Sequence, residues 1–402
     1  MKLSSCFAIL VLLASPLAVA QEPASANVDD TANIDTESSM DVAEQRRRFT
    51  VSGDLRPLVN FADIDFRSGN GASDRLGLLR YRAKASFEFI EGIQVAGRVA
   101  GRCSTDDCGA DWVWDRAKPT SVGLAQGQAT FDELYVHFFR RERFNITIGR
   151  QQTRFVLRGG VFARSLDRVD SNNTNVTWTD GLHARFFPAK GWTAHVVVQQ
   201  NASDGTGSIR RGPLDFSTSA ARQTYFVAFE NTNTLGPIVQ RALDVSFLPD
   251  SLLVDGDLSG RREDYWGVVG RLVGRWPQRA DGVRLRAGVE VGYAPERPTA
   301  DALGLQSSAS GLAWNVVASL MDVVPNHSIA INYAQTGGGW LLSPQFGRNE
   351  EQFELRYQWR PAKWPMFEAR IRWREDLEPV TDGLRDLRVF DAFVRLTWQF
   401  GG

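Results

Sequence analysis

Arginine recurs at every second or fourth position in several short stretches: Arg80 and Arg82 followed by Lys84, then Arg98 and Arg102, Arg284 and Arg286, Arg356 and Arg360, and Arg370, Arg372 and Arg374. An even spacing puts side chains on one face of an extended strand. Guanidinium groups in such a row offer planar forks of donors that suit carboxylate and phosphate oxygens. The chemistry on offer is electrostatic selection of anions. Histidine occurs only 4 times, and neither His183, His195 nor the run Asn326-His327-Ser328 sits in a hydrolase motif, so no catalytic residues are assigned. Each reads as a lumen or turn residue.

The opposite faces of the same stretches are apolar. Val283, Leu285, Ala287, Val289, Val291 and Tyr293 alternate with Arg284, Arg286, Gly288, Glu290 and Gly292, and Phe353, Leu355, Tyr357 and Trp359 alternate with Glu354, Arg356, Gln358 and Arg360. A soluble all-β protein with basic outer faces would also alternate. However, a soluble core cannot hold so much unpaired charge. The apolar face therefore points into lipid around a polar interior, and a closed barrel leaves no unpaired strand edge there. No segment between the strands reads as a helix.

The start of the chain fits export. Met1 and Lys2 precede an apolar run from Phe7 to Leu13, and Ala18-Val19-Ala20 forms a small-residue cleavage site, which makes residues 1–20 a signal peptide. No later stretch approaches the ~18 apolar residues of a spanning helix. The expected location is the outer membrane of a Gram-negative bacterium. Residues 21–45 are acidic, with Glu22, Asp29, Asp30, Asp35, Glu37, Asp41 and Glu44 and no aromatics, and form a flexible periplasmic segment. The barrel then occupies 46–402. The net charge of −1 hides a basic barrel behind this acidic lead. Cys103 and Cys108 are a disulfide candidate in an oxidising compartment, with no metal site assigned.

About sixteen alternating stretches run from Phe49–Phe66 to Arg388–Phe400, among them Arg75–Ile90, Ile238–Leu248 and Gly311–Met321. Short turns such as Glu91-Gly92 and 323–326 alternate with long connections such as 103–127, 152–176 and 336–349. The short set faces the periplasm and the long set the outside. Phe87, Phe89, Phe138, Phe144, Phe186, Trp192, Phe229, Trp276, Trp359, Phe367, Trp398 and Phe400 crowd the ends beside the short turns, as an interfacial girdle does.

In this arrangement the chain resembles the sixteen-stranded bacterial porins. Asp132-Glu133-Leu134-Tyr135-Val136 followed by Ile148-Gly149-Arg150-Gln151 looks like the strand pair before their constriction loop. The resemblance implies that 152–176, the third external loop, folds into the lumen and carries Arg154, Arg158, Arg164, Asp167, Arg168 and Asp170 to the narrowest section. The last strand, with Val394, Leu396, Trp398 and Phe400, resembles the signal read by the barrel assembly machinery, although the chain ends in Gly401-Gly402.

The expected pore lining is Arg80, Arg82, Lys84, Arg98, Arg102, Glu133, Arg284, Arg286, Arg356, Arg370, Arg372 and Arg395, with Arg271, Arg275, Arg360 and Arg374 also inward. Only Glu88, Glu133, Glu290, Glu354, Glu368 and Asp391 are read as opposing them. Such a lining concentrates anions. The predicted function is a water-filled channel preferring small anionic solutes, without cofactor, embedded in lipid and lipopolysaccharide as a homotrimer that binds no nucleic acid. The arginine rows resemble those of phosphate-selective porins, but with four mature-chain lysines, Lys84, Lys118, Lys190 and Lys363, the reading stops at anion preference. The alternatives are a weakly selective general porin and a barrel that mainly displays loops as an adhesin or receptor.

Overall fold

The alternating stretches form sixteen antiparallel strands: β1 (Phe49–Asp65), β2 (Gly71–Ile90), β3 (Ile93–Ser104), β4 (Gln128–Arg140), β5 (Phe144–Gln151), β6 (Thr179–Phe186), β7 (Trp192–Gln200) and β8 (Gln223–Asn231). The series continues with β9 (Ile238–Leu253), β10 (Arg262–Arg275), β11 (Arg284–Tyr293), β12 (Leu312–Val324), β13 (His327–Thr336), β14 (Glu350–Trp359), β15 (Met366–Asp376) and β16 (Arg388–Gly401). The sheet closes because β1 pairs with both β2 and β16. This computed structural model describes residues 49–114, 124–140, 142–153, 155, 157, 165–167, 176–201, 212–216, 223–257, 260–277, 282–307, 309–362, 365–380 and 384–401. The signal peptide, the acidic segment and Arg154, Arg158, Arg164, Arg168 and Asp170 lie outside them.

Burial inverts the soluble pattern. Val291, Leu320, Ile331 and Phe353 are exposed, whereas their strand neighbours Glu290, Asn315, Asn332 and Glu354 are 0 % exposed. The apolar face is outside and the polar face inside, as a bilayer demands. Among the described residues no helix is long and apolar enough to cross a membrane. The expectation of no helix needs one correction: α1 (Ala300–Leu303) forms a single turn in an external connection, capped by Thr299 and by Gly304 in the left-handed region.

Strand limits differ from the sequence reading mainly at outer ends. β2 begins at Gly71 instead of Arg75, and β9 runs past Leu248 through an irregular register to Leu253. Turn residues pair these outer ends across tight connections, which a pattern of apolar alternation does not reveal. The single aromatic girdle also needs correction. Tyr333, Phe353, Trp373 and Phe390 are successive cross-strand partners near the outer ends of β13–β16. Tyr225, Phe247 and Trp266 form a second such run on β8–β10. Amphipathic rings favour both interfaces, so the barrel carries a row at each.

The lumen is partly filled. Its largest apolar cluster joins inward residues of β9–β13, including Leu248, Tyr265, Val269, Ala313 and Ala334, to Trp340, Leu341, Leu342 and Phe346 of the seventh external loop and Leu166 of the third. Glycines on the inner wall make the space. A Cβ at Gly292 would meet the Trp340 indole at 2.7 Å, and one at Gly288 would meet Leu157 of the third loop at 2.8 Å. Cys103 and Cys108 are joined in the second external loop, with Cα atoms 4.3 Å apart. Beyond them Asp111–Trp112 pairs in parallel with Gln128–Ala129.

Candidate functional site

The basic wall begins with a break in alternation. Between β3 and β4 the register shifts at Arg98/Val99, so that Asp132 and Glu133 both turn into the lumen. Arg98 grips Asp132 with two bonds of 2.9 Å and reaches Glu133 at 2.9 Å. Arg82 lies 3.1 Å from Asp132, and Lys84 lies 2.9 Å from Glu133 while donating to the Tyr135 hydroxyl at 3.0 Å. Two adjacent carboxylates thereby organise three cations from two strands.

The wall continues around β1 and β14–β16. Arg80 donates to Asp54 at 2.6 Å. Arg395 pairs with Glu368, Arg356 lies 2.9 Å from Glu354, Arg370 pairs with Asp391, and Arg372 donates to Asp391 at 2.8 Å. Phe393 projects inward among them, with the guanidinium carbons of Arg370, Arg395 and Arg356 at 4.3, 5.3 and 5.6 Å from its ring centre. The ring face attracts cations that would otherwise repel one another.

This geometry corrects the charge balance read from sequence. Asp54, Asp132, Asp244 and Glu350 also face inward, and most of the expected pore-lining arginines are held in ion pairs. Arg80, Arg356, Arg370 and Arg395 are nearly fully buried within the wall. Cations still outnumber carboxylates along β14–β16 and β1–β4, with Arg56 added on the inner face of β1. Accessible positive charge sits on Lys84, Arg98, Arg102, Arg372 and Arg374, of which Lys84 is 28 % exposed. Arg102 donates to the Leu124 carbonyl at 3.1 Å, and Arg284 to Asp322 near the inner end of β12 at 3.1 Å. Arg286 shares the inward face of β11 with Arg284.

The third external loop crosses to the other wall. Phe155 packs on Val197, Phe226 and Ala228 of β7 and β8, and Leu157 on Val273, Val317 and Met321 of β10 and β12. Asp167 is bonded by Arg271 of β10, which also meets Asp244 and lies 2.5 Å from Glu290. Ser165 accepts from Arg271 at 3.1 Å and donates to Asp167 at 2.9 Å. The Trp340 indole of the seventh loop donates to the Leu166 carbonyl at 3.0 Å. Of the six residues expected on this loop, Asp167 is the described one; it is a buried anchor paired with Arg271 of the wall and not exposed to the open lumen. Arg271, expected to line the pore, is likewise sealed into this anchor. Glu290 joins it, 0 % exposed.

Beneath Phe155 lies a polar group that the charge pattern does not announce. His183 Nε2 and His195 Nδ1 are 3.2 Å apart, and Glu230 approaches the other nitrogen of His195 at 3.7 Å. Gln240 donates to that carboxylate at 2.8 Å.

A closed barrel of sixteen strands, lipid-facing outside, polar inside and entered by its third loop, has the fold of the Gram-negative outer-membrane porins. Solved structures agree. The chain is similar to OpdL of Pseudomonas aeruginosa, with a TM-score of 0.53 and 11 % identity over 88 % of this chain and 99 % of that one. OprB of Pseudomonas putida gives a TM-score of 0.54 at 10 % identity, covering 87 % and 94 %. An anion-selective porin from Comamonas acidovorans gives 0.51 at 11 % identity, covering 86 % and 100 %. No protein-family profile and no curated protein matches the sequence.

Proposed function

We propose that the chain is an outer-membrane porin, a channel and not an enzyme, which passes small solutes with a preference for anions. The observation that carries this is the lateral division of the lumen. Apolar loop residues fill the side of β9–β13, which leaves the cation-rich wall of β14–β16 and β1–β4 beside the water path. Charge close to a confined path acts over short range and enriches counter-ions. The Comamonas protein, of the same fold, is described as anion-selective, which supports the reading. A reversal potential measured across a bilayer in a potassium chloride gradient tests it; cation preference would sink the idea.

Weak selectivity is the second reading, because the pairs Arg80–Asp54, Arg98–Asp132 and Arg395–Glu368 neutralise much of the wall. A permeability ratio near unity would favour it. The arginines of the third loop enter here as part of the proposal: Arg154→Glu with Arg158→Glu shifts selectivity toward cations if they reach the water path. We further propose a homotrimer in lipid and lipopolysaccharide, assembled through the C-terminal strand after removal of residues 1–20. Ala83, Ala85 and Gly97 are small residues on the outer face of β2 and β3, where a neighbouring barrel can approach closely. Cross-linking in native membranes tests the stoichiometry.

A further inference from the structure

His183 and His195 project into the lumen from adjacent strands, β6 and β7, and turn one nitrogen each toward the other at 3.2 Å. Two imidazole nitrogens bound to one ion at about 2.0–2.1 Å lie about 2.9 Å apart at a right angle and about 3.4 Å apart at the tetrahedral angle. The observed spacing falls between these values. The rings are 24° from parallel with centroids 5.5 Å apart, and each presents a nitrogen to the other. The surroundings match those of a metal-binding histidine. Glu230 stands 3.7 Å from His195 Nε2 and is itself held by Gln240 at 2.8 Å, so a carboxylate lies beside the ring on the side away from His183, beyond hydrogen-bond distance but close enough to favour a cation at Nδ1.

We propose that this pair is a binding site for a borderline divalent transition ion, of the class of Cu²⁺ and Zn²⁺. Imidazole suits these ions, whereas Mg²⁺ and Ca²⁺ prefer oxygen ligands. Among the described residues no group of three or more metal-binding side chains occurs, so the protein supplies two nitrogens and water completes the sphere. On binding, the proton between the two rings leaves its nitrogen and the ring that gave it up takes a proton from solvent on its other nitrogen, so that both rings stay neutral and both facing nitrogens donate lone pairs to the ion. Arg185, cross-strand from His195, and Glu230 carry opposite charges beside the site. The ion therefore enters surroundings that do not repel it strongly. Phe155, at the root of the third loop, rests on both rings with centroid distances of 4.8 and 5.7 Å. Occupancy is thereby felt where that loop leaves the wall.

Copper titration of the untagged, detergent-solubilised barrel, read by electron paramagnetic resonance, tests the site directly. The chain has only 4 histidines, so the background is small. One Cu²⁺ per chain with the splitting of two imidazole nitrogens is expected, and His195→Ala or His183→Gln should remove that pattern. Glu230→Gln should retain it while weakening affinity by about 10–100-fold. Folding of each variant is checked by the heat-dependent shift in gel mobility, and His183→Gln keeps a polar group of similar reach should alanine unfold the wall. In bilayers, micromolar Zn²⁺ should alter the conductance of the parent and leave His183→Gln unaffected. Copper bound with equal affinity by parent and both histidine variants, or no two-nitrogen pattern in the folded parent, would overturn the proposal.

Discussion

Replacing Trp340 by alanine should open the channel without dissolving the barrel. The indole is 1 % exposed, rests in the hollow left by Gly292 and Gly267, and ties the seventh loop to the third through the Leu166 carbonyl. Truncating a buried tryptophan costs about 3–5 kcal/mol. Loops open locally with less free energy than the strand ladder, so the loss falls on the docking of these two segments. At 3 kcal/mol the ratio of docked to undocked loop drops about a hundredfold. Single-channel conductance should rise, and liposome swelling should admit larger sugars than the parent does. Gly292→Val offers an independent route to the same state, since even its Cβ would fall 2.7 Å from the indole. Unchanged conductance and size limit in folded protein carrying either change would refute the idea that these loops confine the path.

The remaining expectations concern charge and covalent structure. Arg271→Met would leave Asp167, Asp244 and Glu290 buried without their cation, a loss of about 3–5 kcal/mol, seen as a lower temperature for the gel-mobility transition. Lys84→Glu should move the reversal potential toward cation preference more than Arg261→Glu, since Arg261 is 67 % exposed on an outer loop. Equal shifts would place the selecting region elsewhere. Selectivity should weaken between 0.1 and 1 M salt, as the screening length falls from about 10 to about 3 Å. Cys103→Ser with Cys108→Ser should cost about 2 kcal/mol of local stability in the second loop and leave conductance unchanged.

Much of the barrel is legible in the sequence because a period of two is enforced wherever one face meets lipid and the other water. β11 and β14 follow from that rule alone, and a short turn such as Glu91-Gly92 between β2 and β3 follows from its turn residues. The charge balance of the lumen is less legible. Asp132 sits next to Glu133, so strict alternation allows only one of them inside, and only the bulge opposite Arg98 brings in both. Asp54 and Arg56 lie beside Pro57, which interrupts the strand pattern of β1, although β1 pairs through it with β2. Asp244 was within reach of the same reading, since Gln240, Asp244 and Ser246 share a face of β9. The inward seventh loop leaves a fainter trace. Gly337-Gly338-Gly339-Trp340-Leu341-Leu342 is an apolar run in an external connection, and nothing local says whether it turns outward or into the lumen.

The asymmetry of the lumen explains why its two walls differ in residue type. A wall covered by protein must satisfy its polar groups by internal pairing, and it gains from apolar contact and from glycine where an incoming side chain needs room. β9–β13 meet that demand with Gly267, Gly288, Gly292, Val269 and Val317, and with one arginine shared among three carboxylates. A wall facing water has no such limit and can hold long cations whose outer nitrogens remain solvated. Lys84, Arg98 and Arg374 are partly exposed there even in their pairs with Glu133, Asp132 and Glu350, whereas Arg80 and Arg356 behind them are buried in pairs with Asp54 and Glu354. On the proposed channel reading, the buried pairs hold the lining in place and the partly exposed cations set the potential that a passing solute meets. Selectivity should consequently track the accessible cations, so that Arg80→Gln destabilises the barrel more than it changes the reversal potential, and Lys84→Gln does the reverse.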